Sequence, residues 1–343
     1  MILAKNLYGA NNELLLAHGQ RLIGKYILKL QTLGYQGVYI DDDLTKDIDI
    51  VNVIKDELRH KTISTVKNVY IYSKTGDQRN LDKSFDDTKN LVSNMVDEIL
   101  NNKTVMLNMI DLKVFNDYTF YHSVNVAILA IVLGMAMGYS YKSLYRLGLG
   151  ALLHDVGKVF VPAEILDKPS ALTGEEFNQI KQHPHYGYEY LINNCVLPSE
   201  AYTVVLQHHE RYNGSGYPYG LIGSKISRDG KIIAISDVYD AMVSDRPYRK
   251  ALPHSDVIEY IIGKSETLFD PEVVQVFFKK IAPYPVGTLV QLSNGEKGIV
   301  LQNFESMGAR PDIRIIDDEN HVRDICLRSN KDYLSVTITG CEC

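Results

Sequence analysis

The sequence predicts a mainly α protein with a small α+β module at its N-terminus and a small β appendage at its C-terminus. Three observations carry that reading. Residues 118–281 run as helix after helix with no convincing strand series. After Pro283 and Pro285 the texture changes to short β-prone runs around an Asn294-Gly295 pair. Ahead of both, the first 65 or so residues place short apolar runs and turn residues around a single helical stretch. A chain of 343 residues has room for one domain of ordinary size with smaller units beside it.

In chain order, the apolar run Leu14–Ala17 follows the turn-forming Gly9-Ala10-Asn11-Asn12. Leu22, Ile23, Tyr26, Ile27, Leu30 and Leu33 recur at helical spacing over Arg21–Leu33, and Gly34 ends the helix. Gly37-Val38-Tyr39-Ile40 reads as a strand. The Asp41-Asp42-Asp43 after it reads as a solvated turn, because the segment is too short for a phospho-acceptor domain. Residues 1–65 are taken as an accessory module and 66–117 as a helical connector of mixed charge. Residues 118–282 are the central helical domain and 283–343 the β appendage. In the appendage, Thr288–Leu292 and Gly298–Leu301 form a hairpin across Ser293-Asn294-Gly295-Glu296. Ile313–Ile316 and Tyr333–Ile338 supply further strands.

A net charge of −6 gives no electrostatic case for a nucleic-acid polymer or a membrane surface as partner. No apolar run approaches the length of a membrane span, and the N-terminus has no signal-peptide core. Cys195, Cys326, Cys341 and Cys343 form no CxxC pair and no secreted-type framework, which places the chain in a reducing cytoplasm. Cys341-Glu342-Cys343 reads as an exposed tail.

The chemistry gathers around Leu153-His154-Asp155-Val156-Gly157-Lys158. Ser143–Leu153 is apolar and almost uncharged, as suits a buried helix whose end delivers the His-Asp pair into a cavity. An aspartate has two oxygens and can touch two cations at once. Six of the ten histidines fall between His122 and His209. His122 opens one helix, His183-Pro184 begins another, and His208-His209-Glu210 ends the run Tyr202–Gln207. Asp237 lies on an apolar helix, Ile232–Met242, where a carboxylate needs a cation or a donor. His122, His154, Asp155, His183, His208, His209 and Asp237 thus make seven candidate N/O ligands. That number suits two ions sharing Asp155. Nitrogen and oxygen donors without cysteine suit iron or manganese and tolerate zinc. Two such ions can hold a bridging water as hydroxide and neutralise a phosphodiester during in-line attack. His185 and His254 lie near the set with no motif to claim them.

With these residues in view, the chain resembles the HD-GYP subgroup of the HD phosphohydrolases. The matching residues are His154-Asp155 with Gly157-Lys158, His183-Pro184 with Gly187, and His208-His209-Glu210 followed by Gly214, Gly216, Tyr217 and Pro218. The resemblance covers roughly residues 118–281. It implies an all-helical HD-type domain and a metal-dependent phosphodiesterase that hydrolyses cyclic di-GMP to the linear dinucleotide pGpG, with GMP as a further product in many relatives. It also implies that Lys158 faces the scissile phosphate, that Arg246 and Arg249 contact the nucleotide phosphates, and that Tyr217, in a loop near the site, helps bind the substrate. The Gly216-Tyr217-Pro218 loop would be a contact for diguanylate cyclase domains. Asp240, three residues beyond Asp237, would support a ligand or cap a helix.

Relatives with three metals place a Glu one helical turn before the first histidine, where this chain has Tyr118. Two ions are therefore expected: His122, His154, Asp155 and Asp237 around one, and Asp155, His183, His208 and His209 around the other. Two alternatives remain open at this level. One is an enzyme for another cyclic dinucleotide, such as cyclic GMP-AMP. The other is a non-catalytic module that binds the messenger or a cyclase. The sequence leaves a homodimer open.

Overall fold

The computed structural model describes residues 1–9, 13–33, 35, 38–42, 44–45, 47–48, 52–102, 106, 118–168, 170–244, 250–305, 307–316 and 322–342. At the N-terminus, β1 (Ile2–Leu3) pairs antiparallel with β4 (Ile40–Asp41), and β2 (Leu7–Tyr8) with β3 (Leu14–Leu16). Helix α1 (Gly24–Thr32) adds Leu30 to a small core with Leu3, Leu7, Leu16, Leu22 and Tyr35. The strand expected at 37–40 is realised as Ile40–Asp41, and Gly37 lies outside the described residues.

Two long helices follow, α2 (Asp56–Thr75) and α3 (Gln78–Asn101). The boundary expected at residue 65 falls inside α2. Leu58, Thr62, Ile63, Thr65, Val66 and Val69 recur at three- and four-residue spacing and are all buried. Their apolar members join the same core as the central helices. At the centre lies α4 (Tyr118–Ala136), buried continuously from Tyr121 to Gly134. Thr119–Ala136 is apolar and long enough to cross a membrane by composition, which corrects the expectation that no run approached that length. The reason is position: a helix enclosed on all sides is apolar all round, and 78% of this stretch is buried inside the protein.

Around α4 pack α5 (Tyr141–Leu153), α10 (Arg228–Val243) and α12 (Pro271–Lys280). The chain between them forms α6 (Ala163–Leu166), α7 (Gly174–Ile180), α8 (His183–Asn194) and α9 (Ser199–Gln207), and α11 (His254–Gly263) precedes α12. Gly150 lets α5 lie directly on α9, since a methyl carbon there would stand 2.6 Å from Val204 Cβ.

The C-terminal sheet is antiparallel, in the order β8 (Val322–Cys326), β7 (Asp312–Ile316), β6 (Lys297–Gln302), β5 (Leu289–Leu292), β9 (Ile338–Glu342). The β5–β6 hairpin turns at Asn294-Gly295, with Gly295 at φ 88°. Tyr333–Ile338 is not a strand. Asn330 caps a 3-10 turn over Lys331–Tyr333, and the Tyr333 hydroxyl donates to Glu296 Oε2 at 2.7 Å. The fifth strand is β9, so Cys341-Glu342 belongs to the sheet rather than to a tail, with Cys341 opposite Val290. Cys343 lies outside the described residues. Strand β8 escaped the sequence reading because Val322, Arg323 and Asp324 are all exposed and two of them are charged. Arg314 of β7 grips Asp47 with two bonds, of 2.6 and 2.8 Å, which ties the sheet to the N-terminal module.

Candidate metal centre

Helix α5 ends at Leu153, and its C-cap residue is His154. The last turn of a helix leaves carbonyls without intrahelical donors. The His154 Nδ1–H takes one of them, Ala151 O, at 2.7 Å. The same arrangement recurs twice. His208 caps α9 and donates to Val205 O at 2.7 Å, and His183, three residues past the end of α7, donates to Ile180 O at 2.7 Å. Each bond fixes the tautomer and leaves an Nε2 lone pair directed inward.

Asp155 follows His154 and begins the 3-10 turn Val156–Phe160. Its carboxylate is only 1% exposed. Oδ1 lies 3.2 Å from His183 Nε2 and 3.7 Å from His208 Nε2. Oδ2 lies 3.3 Å from His154 Nε2 and 3.9 Å from His122 Nε2. The two oxygens therefore face two different sets of histidines. His183 can reach this position because Gly157 and Gly187 let the turn press on α8. A methyl carbon at Gly157 would overlap the His183 carbonyl and the Gly187 amide nitrogen.

His122, on α4, is 3.2 Å from Asp237 Oδ1, and Asp237 Oδ2 is 3.6 Å from His209 Nδ1. Its Nδ1 is held by Asp240 Oδ2 at 2.8 Å. All seven candidate donors thus meet at one place. Asp155, His183, His208 and His209 have donor atoms within 4.8 Å of one another, and so do His122, His154 and Asp237. His185 instead points outward to Glu189, and His254 bonds the Tyr239 hydroxyl. Arg246, Arg249 and the side chain of Tyr118 lie outside the described residues.

The residues fit divalent cations. His154 Nε2 and Asp155 Oδ1 are fully buried and carry no hydrogen bond, an arrangement that is costly without a positive partner. Burial alone would raise the Asp155 carboxyl, yet Lys158 and then His154 outweigh it and hold it well below the usual carboxylate range. Asp237 is likewise held low against burial, chiefly by His122. Burial, reinforced by neighbouring histidines, pushes His208 and His209 well below the ordinary imidazole value, so both are neutral at neutral pH, the form in which an imidazole can bind a cation. Burial opposes charge on His122, but its bonds to Asp237 and Asp240 raise it overall.

Lys158 contacts Asp155 Oδ2 at 2.5 Å from a side chain 30% exposed, so it spans the space between the cluster and solvent. The Tyr217 ring lies 4.6 Å from that of His209, centroid to centroid. Burial first, and then the charges of Asp237 and Asp155, push its phenol up, which keeps it a neutral donor. The loop carrying Tyr217 is fixed by Glu210, a residue quoted in the sequence motif without a role. Its buried carboxylate accepts the amides of Tyr219 and Leu221, both at 2.8 Å. Gly216 packs on the backbone of His209–Arg211, where no Cβ fits. Tyr70 of α2 was also missed. Its hydroxyl is buried, with a pKa raised by burial and then by Asp155. It sits in no motif, so no local signal marks it. A 510 Å³ cavity lined by Tyr139, Arg146, Glu200 and Asp229 contains none of the seven donors.

Comparison with known proteins adds to this geometry. Residues 94–273 match the HD domain family. The chain is 37% identical over 227 residues to cyclic di-GMP phosphodiesterase PA4108 of Pseudomonas aeruginosa, covering 65% of this chain and 55% of that protein. It is 37% identical over 166 residues to 3'3'-cGAMP-specific phosphodiesterase 1 of Vibrio cholerae, covering 48% of this chain and 37% of that one. Among solved structures, Bd1817, an HDG"Y"P protein from Bdellovibrio bacteriovorus, aligns with a TM-score of 0.52 at 18% identity, over 81% of this chain and 94% of that chain. That likeness is one of fold. The chain spans about half, or less, of the length of these two curated relatives.

Proposed function

The chain belongs to the HD domain family, and from that premise we propose that it is a metal-dependent phosphodiesterase hydrolysing cyclic di-GMP to pGpG. The observation that carries the proposal is the division of Asp155 between two histidine sets, which is what a carboxylate bridging two cations requires. In this reading His122, His154 and Asp237 hold one cation, His183, His208 and His209 hold the other, and Asp155 serves both. The cations, when bound, supply Lewis acidity for the phosphate oxygens and lower the pKa of the attacking water. Nitrogen and oxygen donors without thiolate favour iron or manganese.

The remaining work falls to the chain. Lys158 reaches outward from Asp155 to the scissile phosphate, where it offsets developing charge and can protonate the leaving 3′ oxygen. Arg246 and Arg249 offer guanidinium groups to the phosphates. Tyr217, held over His209 by the loop that Glu210 fixes, closes one wall of the site. The Gly216-Tyr217-Pro218 loop is then a surface for diguanylate cyclase domains, and the protein acts in the cytoplasm.

The test is anaerobic purification, metal analysis, and product analysis with cyclic di-GMP and 3′,3′-cyclic GMP-AMP in the presence of iron or manganese. Release of pGpG is expected from cyclic di-GMP, and any GMP shows a second cleavage. Turnover of cyclic GMP-AMP alone would reassign the substrate. Metal-loaded protein that cleaves neither would make this a binding module.

A further inference from the structure

A buried polar chain leads away from the proposed metal centre, into a helix that the HD domain match does not include. His122 Nδ1 donates to Asp240 Oδ2 at 2.8 Å. The other oxygen of Asp240 accepts from Asn125 Nδ2 at 2.8 Å. Asn125 Oδ1 in turn accepts from Arg59 Nη1 at 2.6 Å. Asn125 and Asp240 are each 1% exposed, and His122 is 2% exposed. Arg59 lies on α2, whereas the family match begins at residue 94.

The polarity of this chain is what gives Arg59 a function. An amide group can present either its oxygen or its NH2 to a neighbour, and the surroundings decide which. A guanidinium has only donors. Facing Arg59, Asn125 must turn its oxygen toward α2 and its NH2 toward Asp240. Asp240, with one oxygen satisfied by that NH2, accepts the His122 Nδ1–H with the other. With Nδ1 committed to Asp240, Nε2, 3.2 Å from Asp237, is the nitrogen available to a cation. With the amide reversed, an oxygen would face the Asp240 carboxylate inside the protein, and both the carboxylate and the ring would lose their anchor.

We propose that Arg59 is a positioning residue: through Asn125 and Asp240 it sets the tautomer and orientation of His122, and so the affinity of the cation site built on His122, His154 and Asp237. This rests on the metal-centre reading above. It assigns a role in that centre to α2, which the N-terminal module also touches where the rings of Tyr8 and His60 lie 4.2 Å apart.

The experiment compares full-length Arg59→Met, Arg59→Lys and a core control on the same helix, Val69→Ala. Mn²⁺ titration followed by electron paramagnetic resonance reads the two sites. Nitrogen-15 spectra of the metal-free protein read the histidine rings, with the His122 signal assigned by a His122→Gln variant. Arg59→Met should weaken one of the two Mn²⁺ sites by about 10–100-fold, the usual range for residues that orient a ligand. It should also move the His122 ring signal from its wild-type position. Arg59→Lys, which keeps a charged donor, should recover part of both effects. Val69→Ala should lower the melting temperature and change neither. Arg59→Met with wild-type Mn²⁺ affinities and an unaltered His122 signal would overturn the proposal. If the wild-type protein binds neither Mn²⁺ nor Fe²⁺, the metal-centre reading falls, and the ring signal alone decides the role of Arg59.

Discussion

Replacing Gly157 by alanine tests whether the approach of one turn to one helix assembles the centre. The new methyl carbon would overlap the His183 carbonyl oxygen and the Gly187 nitrogen and stand 2.9 Å from Gly187 Cα. Real Cβ atoms essentially never come within 3.0 Å of such a neighbour, so clearing the 1.9 Å contact with the His183 oxygen alone makes α8 retreat by at least about 1.1 Å. The atoms in the way are backbone, with no rotamer to yield, which places the cost near the upper end of the overpacking range, about 3 kcal/mol. For a large domain that corresponds to a fall of roughly 6–12 °C in melting temperature. The effect should reach function as well as stability. Metal ligands tolerate displacements of about 0.2 Å, and His183 would move several times that. Metal analysis after dialysis should show the Asp155, His183, His208 and His209 site emptied, and cyclic di-GMP turnover should fall by about 10–100-fold. A Gly157→Ala protein with wild-type melting temperature, metal content and turnover would refute the claim that this contact positions His183.

Three other outcomes follow from the same geometry. Asp155→Ala should abolish hydrolysis and lower metal content while circular dichroism shows the helices intact. Near-wild-type turnover would remove Asp155 from its bridging role. Glu210→Gln places an NH2 where the carboxylate accepted an amide of Tyr219 or Leu221, at about 1–3 kcal/mol for an unsatisfied buried group. A rise in KM through a displaced Tyr217 is expected, and unchanged kinetics would detach the loop from the site. Asp229 has its carboxyl raised, first by burial, against the lowering bond from Tyr139. As pH climbs past about 4 the unfolded chain ionises before the folded one, so the native state loses stability until its own, higher pKa is passed. Asp229→Asn should therefore gain in melting temperature relative to the parent as pH rises from about 4 to 7. A constant gap would contradict the raised value.

What could be read from the residues, and what could not, divides along local and non-local lines. The clustering of the seven candidate donors was foreseeable because histidines and aspartates on apolar helices are chemically unusual, and the helices carrying them are strongly periodic. The hairpin at Asn294-Gly295 was visible because its turn has a compositional signature. By contrast, the use of Glu210 depends on where two amides nine and eleven residues later come to lie. The contact of Arg59 with Asn125 spans 66 positions, and no pattern in either segment announces it. Strand β8 was hidden because a sheet face turned to solvent reads as polar loop. The boundary near residue 65 was misplaced because the change in composition there does not coincide with any change in burial along α2.

The same division runs through the centre itself. His154, His183 and His208 each take a carbonyl three residues back at a helix end. Their tautomers follow from local backbone geometry, and a short motif is enough to specify them. His122 stands inside the first turns of α4, where the carbonyls behind it belong to the helix ladder, so its Nδ1–H needs a side chain instead. That side chain, Asp240, comes from a helix 118 positions away. A buried carboxylate so placed needs donors of its own, and it obtains one from Asn125, whose orientation Arg59 fixes. The set around His183 and His208 is thus largely determined by the segments that carry its candidate ligands. The set around His122 depends on tertiary contacts that extend to α2. Damage to α2 should then reach the two proposed cation sites unequally, with the His122 site the first to weaken.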